Sequence, residues 1–127
     1  MTQIKNIMQK KVVTVTEDEG IQKLCKILTQ KKLTGLPVVN KKKTLVGFVS
    51  ERDIIAAFGK QTCLDMTIKK IMTRKVKTVD PDDPLVAASK IFQQFQIRIL
   101  PVAKNGKVVG VIARKDMIEH MLGDYNL

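Results

Sequence analysis

The stretch GFVSERDII, residues 47–55, is written again as GVIARKDMI, residues 110–118, with glycine at the head and aspartate in the seventh place of both. Apolar residues run up to Ser50 and Ala113 and then give way to Glu51-Arg52-Asp53 and Arg114-Lys115-Asp116, the mark of a strand ending where a helix begins. Outward from this phrase the duplication continues. Pro37-Val38 returns as Pro101-Val102, VVTV (12–15) as VKTV (76–79), and Ile4, Ile7 and Met8 of IKNIM as Ile68, Ile71 and Met72 of IKKIM, all 64 positions apart. From Gly47 on the separation is 63, so one residue has been lost between Pro37 and Gly47, where NKKKT in the first copy faces KNGK in the second. Both tracts read as hairpin turns, where length changes are tolerated. The chain is a tandem duplication, residues 1–63 and 64–127.

Each copy carries the same pattern of elements. A short β segment, VVTV or VKTV, precedes an amphipathic helix, with Ile21, Leu24, Cys25 and Leu28 at helical spacing in the first copy and Leu85, Ala88 and Phe92 in the second. Thr16 with Glu19 has the form of a capping box, and Asp80 stands before Pro81, a favoured first helical residue. Strands LPVVN and TLVGFVS, or ILPVA and KVVGVIA, follow, and Asn105-Gly106 predicts a type I′ turn between the second pair. ERDIIAAF and RKDMIEHML close the copies as helices. The order is β-α-β-β-α, twice, an α/β fold of α+β type. One copy of about sixty residues buries little apolar surface alone, so the expectation is two copies packed with pseudo-twofold symmetry around a cleft.

Length and composition exclude much else. The chain has 127 residues, 44% hydrophobic and 4% aromatic, room for one compact unit or two small ones sharing a core. Neither a signal peptide nor an apolar run of membrane-spanning length is present, so a soluble, cytoplasmic protein with no membrane partner is expected. Cys25 and Cys63 stand apart from any CxxC or Cys/His cluster and read as ordinary thiols, with no disulfide framework and no zinc. With 23 basic and 12 acidic residues the net charge is +11, which makes anionic partners plausible without choosing among them.

The tandem frame, the IxxIM openings, the Leu-Pro-Val strands and the repeated Gly-to-Asp phrase, together covering essentially the whole chain, resemble a pair of cystathionine β-synthase (CBS) domains, a Bateman module. The resemblance implies a regulatory module that takes AMP, ADP, ATP or S-adenosylmethionine as a regulatory ligand in clefts between the repeats, with no obligatory cofactor. It places ribose-contacting residues at Asp53 and Ser50 in the first copy and Asp116 in the second, where Ala113 replaces the hydroxyl residue and leaves a site that is weaker, selective for another ligand, or empty. It puts phosphate-contacting side chains at Thr34 and Arg98. Ile4, Met8, Ile68, Met72, Leu36 and Leu100 become loose candidates for an adenine pocket. The chemistry is sound: a carboxylate accepts two hydrogen bonds from a vicinal diol, and a guanidinium holds a phosphate with two. Family habit also implies a homodimer, and a free-standing module would act in trans on a regulated protein that the sequence does not name.

Each assignment has a structural competitor. Ser50-Glu51-Arg52-Asp53 is equally a capping box that needs no ligand, and the apolar candidates are equally plain core. No catalytic residues are expected: the lone His120 sits late in a helix, no Ser/His/Asp or Cys/His set can be assembled, and GxxxxGK[ST] and GxGxxG are absent. Glu17-Asp18-Glu19 reads as a helix N-terminus and not a metal site. Two alternatives stand beside the nucleotide sensor. Lys10-Lys11, Lys31-Lys32, Lys41-Lys42-Lys43 and Lys69-Lys70 suit a nucleic-acid or polyanion-binding protein, although the aromatics that read bases are scarce. A ligand-free protein-interaction module is the other.

Overall fold

The computed structural model describes residues 2–124. In the first copy, strand β1 (Val15–Thr16) leads to helix α1 (Ile21–Lys31), the hairpin β2 (Gly35–Val39) and β3 (Leu45–Ser50), and helix α2 (Glu51–Ala57). The second copy runs through α3 (Leu85–Gln94), β4 (Ile99–Lys104), β5 (Lys107–Ala113) and α4 (Arg114–Asp124). Each hairpin is antiparallel, with Leu36 opposite Val49 and Leu100 opposite Ile112. Asn105 and Gly106 both have positive φ, 52° and 80°, as the predicted type I′ turn requires. The longer first hairpin uses Asn40 instead, whose Oδ1 accepts from the Lys42 and Thr44 amides while Lys43 turns left-handed.

Two local expectations fail. The β segments are shorter than VVTV and VKTV suggest: only Val15 and Thr16 pair with β2, in parallel, and in the second copy a single bridge joins Val79 to Val102. Pro37 and Pro101 offer these neighbours a carbonyl and no N–H, which limits the ladder to the residues beyond them. The helices also begin four residues later than their cap signals. Thr16 and Glu19 do meet, hydroxyl to carboxylate at 3.3 Å, and Asp83 accepts from the Asp80 amide at 3.0 Å, but both contacts shape turns that precede the helices. The residues before α1 and α3 are Gly20 and Pro84, and neither gives a side-chain cap. Backbone carbonyls do the capping: Ile21 N–H donates to Met66 O at 3.0 Å, and Leu85 N–H to Thr2 O at 2.9 Å.

Those two bonds show how the chain is organised. The described residues form two compact units, one of them Val13–Val76, the other made of residues 2–12 together with 77–124. Each IxxIM arm thus belongs in space to the opposite copy. Ile4, wholly buried, packs with Val79, Ala88, Leu100, Val102 and Ile112; Ile68, equally buried, packs with Val15, Leu24, Leu36, Val38 and Val49. The arms bind by the same bonds 64 residues apart: Ile4 N–H to Asp83 O and Lys5 N–H to Pro81 O, then Ile68 N–H to Glu19 O and Lys69 N–H to Glu17 O, all 2.9 Å. An exposed ion network adds to the first, with Lys5 and Lys104 on opposite oxygens of Asp82 at 3.1 and 3.0 Å. The Lys104 bond, then the Lys5 bond, hold the Asp82 carboxyl below the usual carboxylate range.

Candidate functional site

The repeated phrase ends each hairpin and starts the helix behind it, so its aspartates stand at the same corner of each unit. In the first copy the corner is a complete capping box. Asp53 Oδ2 accepts from the Ser50 amide at 2.8 Å and from the Ser50 hydroxyl at 3.1 Å, and Ser50 Oγ accepts from the Asp53 amide at 3.4 Å. The capping role of Ser50 and Asp53 is therefore real. It employs one carboxylate oxygen only: Oδ1 has no partner among the described residues, and Asp53 is half-buried.

In the second copy Ala113 removes the hydroxyl, yet half the box survives, with the Ala113 amide donating to Asp116 Oδ2 at 2.8 Å. The missing partner is replaced by one that sequence reasoning overlooked. Gln9, just past the first IxxIM, directs its amide nitrogen at both oxygens of Asp116, 3.1 Å to Oδ1 and 3.0 Å to Oδ2. Its counterpart after the second IxxIM is Thr73, which makes no hydrogen bond to Asp53. Carrying the repeat one residue beyond Met8 and Met72 exposes this Gln/Thr difference in the sequence.

The phosphate candidates flank the same corners. Thr34 O accepts from the Glu51 amide at 2.9 Å and Arg98 O from the Arg114 amide at 3.2 Å, so each residue is pinned by its backbone beside the first turn of α2 or α4. The Arg98 side chain is exposed with no partner among the described residues, and Thr34 is half-buried. Of the apolar candidates, Ile4, Ile68, Leu36 and Leu100 expose at most 1% of their surface and belong to the cores; Met72 is buried and Met8 half-buried. Both methionines pack where the glycine of the repeated phrase lacks a side chain. A Cβ on Gly47 would lie 2.7 Å from Met72 Sδ and 3.0 Å from Thr73 O, and one on Gly110 would lie 2.6 Å from Met8 Sδ and 3.0 Å from Gln9 O. The glycine therefore lets the arm reach the strand, where residue 9 or 73 exchanges backbone hydrogen bonds with Val111 or Phe48, the residue after the glycine.

Elsewhere the chemistry is plain. Cys63 is buried and Cys25 half-buried, both free, and burial, followed by the nearby Cys63, pushes the Cys25 thiol up, away from nucleophilic use. Glu17, Asp18 and Glu19 lie in the turn before α1, and among the described residues no three His, Cys, Asp or Glu side chains converge. The paired lysines are exposed at element ends and turns. No helix among the described residues is long and apolar enough to cross a membrane.

The CBS domain family matches this chain twice, over residues 4–60 and 68–123. A homoserine O-acetyltransferase of Methanococcoides burtonii is 36% identical over 123 residues, which is 96% of this chain and 24% of that one. Protein MJ1225 of Methanocaldococcus jannaschii is 28% identical over 96% of this chain and 44% of its own. The chain thus spans less than half the length of either relative. Among solved structures, the CBS domain pair of protein MJ0100 in complex with 5′-methylthioadenosine and S-adenosyl-L-methionine is 29% identical, with a TM-score of 0.87 over 98% of both chains. CBSX2 in complex with AMP is 25% identical, with a TM-score of 0.90 over 98% of this chain and 99% of that one.

Proposed function

The chain belongs to the CBS-domain family, and from that premise we propose that it is a non-catalytic sensor of an adenosine-containing ligand, with Asp53 taking the ribose hydroxyls. The observation that carries this reading is Oδ1 of Asp53, which has no partner among the described residues. The helix start occupies the other oxygen, so both acceptor sites of Oδ1 remain for a vicinal diol. Similarity to structures holding AMP, S-adenosylmethionine and 5′-methylthioadenosine supports the ligand class. Ser50 braces the carboxylate. Thr34 offers at most a neutral hydrogen bond, whereas Arg98, beside Asp116, is the residue suited to a phosphate. ATP and ADP belong to the same ligand class.

The basic surface is the competing explanation for any nucleotide binding, and an uncharged probe separates the two. 5′-Methylthioadenosine carries the diol and the base without a phosphate. Its binding, followed by calorimetry at about 50 and 200 mM salt, is expected to be saturable and nearly salt-independent. A polyanion site making 6–10 phosphate contacts loses about 10³–10⁵ in affinity over that range. AMP binding that collapses with salt, together with none by the uncharged probe, sinks the sensor and favours the polyanion surface.

The output is proposed to pass through a cytoplasmic homodimer to a regulated protein in trans, ligand binding favouring one arrangement over another. Support for the dimer comes from equivalent positions of the two copies, at the end of α2 and in α4. Ile55 and Phe58 are 70% and 76% exposed, and their counterparts Ile118 and Met121 are both 58% exposed, with Leu122 alongside. Apolar residues left in water at equivalent places of both copies suit a symmetric interface. The double variant Phe58→Glu/Met121→Glu is expected to sediment as a monomer where the unaltered protein sediments as a dimer; an unaltered protein that is monomeric at micromolar concentration contradicts the homodimer.

A further inference from the structure

We propose that Gln9 is a built-in competitor for the second ribose-binding carboxylate, so that the two copies are graded, Asp53 open and Asp116 shut until Gln9 moves away. This rests on the adenosine-binding reading above.

A carboxylate offers about four acceptor positions, two on each oxygen. At Asp53, Oδ2 accepts from the Ser50 amide and hydroxyl, and both positions of Oδ1 are open. At Asp116, Oδ2 accepts from the Ala113 amide and from Gln9 Nε2, and Oδ1 also accepts from Gln9 Nε2, which leaves one. A diol donating two hydrogen bonds therefore fits Asp53 at once and fits Asp116 only after displacing the amide. The carboxylate oxygens accept and the Gln9 nitrogen donates to them, in the place where the hydroxyls would donate.

The backbone around the competitor is duplicated closely. Gln9 exchanges two hydrogen bonds with Val111, 2.8 and 3.0 Å, and Thr73 exchanges two with Phe48, both 2.8 Å. Gly110 and Gly47 admit the two arms to their strands at matching approach distances. From equivalent anchor points one side chain carries an amide on two methylenes and the other a hydroxyl on its β-carbon. Reach alone then decides which aspartate is covered. Gln9 is exposed, so its amide can exchange into water and ligand can replace it at a cost. The consequence is two thresholds in one chain, the Asp53 site filling at low ligand concentration and the Asp116 site at higher. Filling the second would release the Gln9 side chain from the helix start of α4.

Exchanging the two side chains tests this. 5′-Methylthioadenosine is titrated calorimetrically into the unaltered protein, Gln9→Thr, Thr73→Gln, and Gln9→Thr combined with Asp53→Ala or Asp116→Ala, with circular dichroism melts to confirm folding. The unaltered protein is expected to show one tight site per chain. Gln9→Thr should tighten the second site by roughly tenfold, the low end for a hydrogen bond to a charged group. That gain should survive Asp53→Ala and vanish with Asp116→Ala. Thr73→Gln should weaken the first site by a similar factor. Binding by the unaltered protein at both aspartates with equal affinity, or a folded Gln9→Thr with unchanged binding, overturns the competitor while leaving the sensor intact. Absence of binding in every folded variant overturns both.

Discussion

Replacing Ile4 with alanine is expected to destabilise the protein by about 2–5 kcal/mol, with the loss concentrated in residues far away in sequence. Ile4 is fully buried against Val79, Ala88, Leu100, Val102 and Ile112, all from the second copy. Alanine there leaves a cavity in a small core walled by Val79, the β4–β5 hairpin, α3 and, through Met117, α4. A domain's whole stability is about 5–15 kcal/mol, so the loss is a large fraction of it. Hydrogen exchange locates the damage: amides of β4 and β5 should lose protection in Ile4→Ala, and those of β2 and β3 in Ile68→Ala. A duplication whose copies folded each on its own arm would give the opposite assignment.

That crossing of arms was not legible in the sequence. The spacing of IKNIM and IKKIM gives their register within the repeat but nothing about which core receives Ile4 or Ile68. Local signals served well where local chemistry decides. Asn105-Gly106 made its I′ turn, and the Gly-to-Asp phrase made its strand-to-helix corner, because both depend on neighbours within a few residues. Thr16-Glu19 and Asp80-Pro81 misled because the first helical N–H groups found carbonyls of Met66 and Thr2, partners that cap preferences cannot foresee. At the site, Asp53 and Asp116 were readable as a pair. Their difference was only half readable: Ala113 was visible as a lost hydroxyl, whereas the amide of Gln9, 107 residues before Asp116, needed the fold to bring it there.

Asp53→Asn is expected to lower affinity for adenosine ligands on the order of a hundredfold, the effect of losing two hydrogen bonds to a charged acceptor at the lower end of their range. Asparagine keeps the size of the side chain and an oxygen that can accept from the Ser50 amide, so the start of α2 should persist. Ser50→Ala makes the complementary change. It removes the hydroxyl that accepts from the Asp53 amide and should cost about 0.5–2 kcal/mol of stability, while Asp53 keeps its charge and its open oxygen. If the aspartate were only a cap, Ser50→Ala and Asp53→Asn would both act on stability and neither on binding. The sensor account requires the two variants to separate, Asp53→Asn failing in binding and Ser50→Ala mainly in stability.

The most direct measurement is the heat released when 5′-methylthioadenosine is added to the unaltered protein and to Asp53→Asn under identical conditions. The account predicts a saturable isotherm with one tight equivalent per chain for the unaltered protein, and its loss in the folded variant. A flat trace for the unaltered protein with this ligand, AMP and S-adenosylmethionine alike, or an isotherm indifferent to Asp53→Asn, would contradict the claim that this carboxylate receives an adenosine.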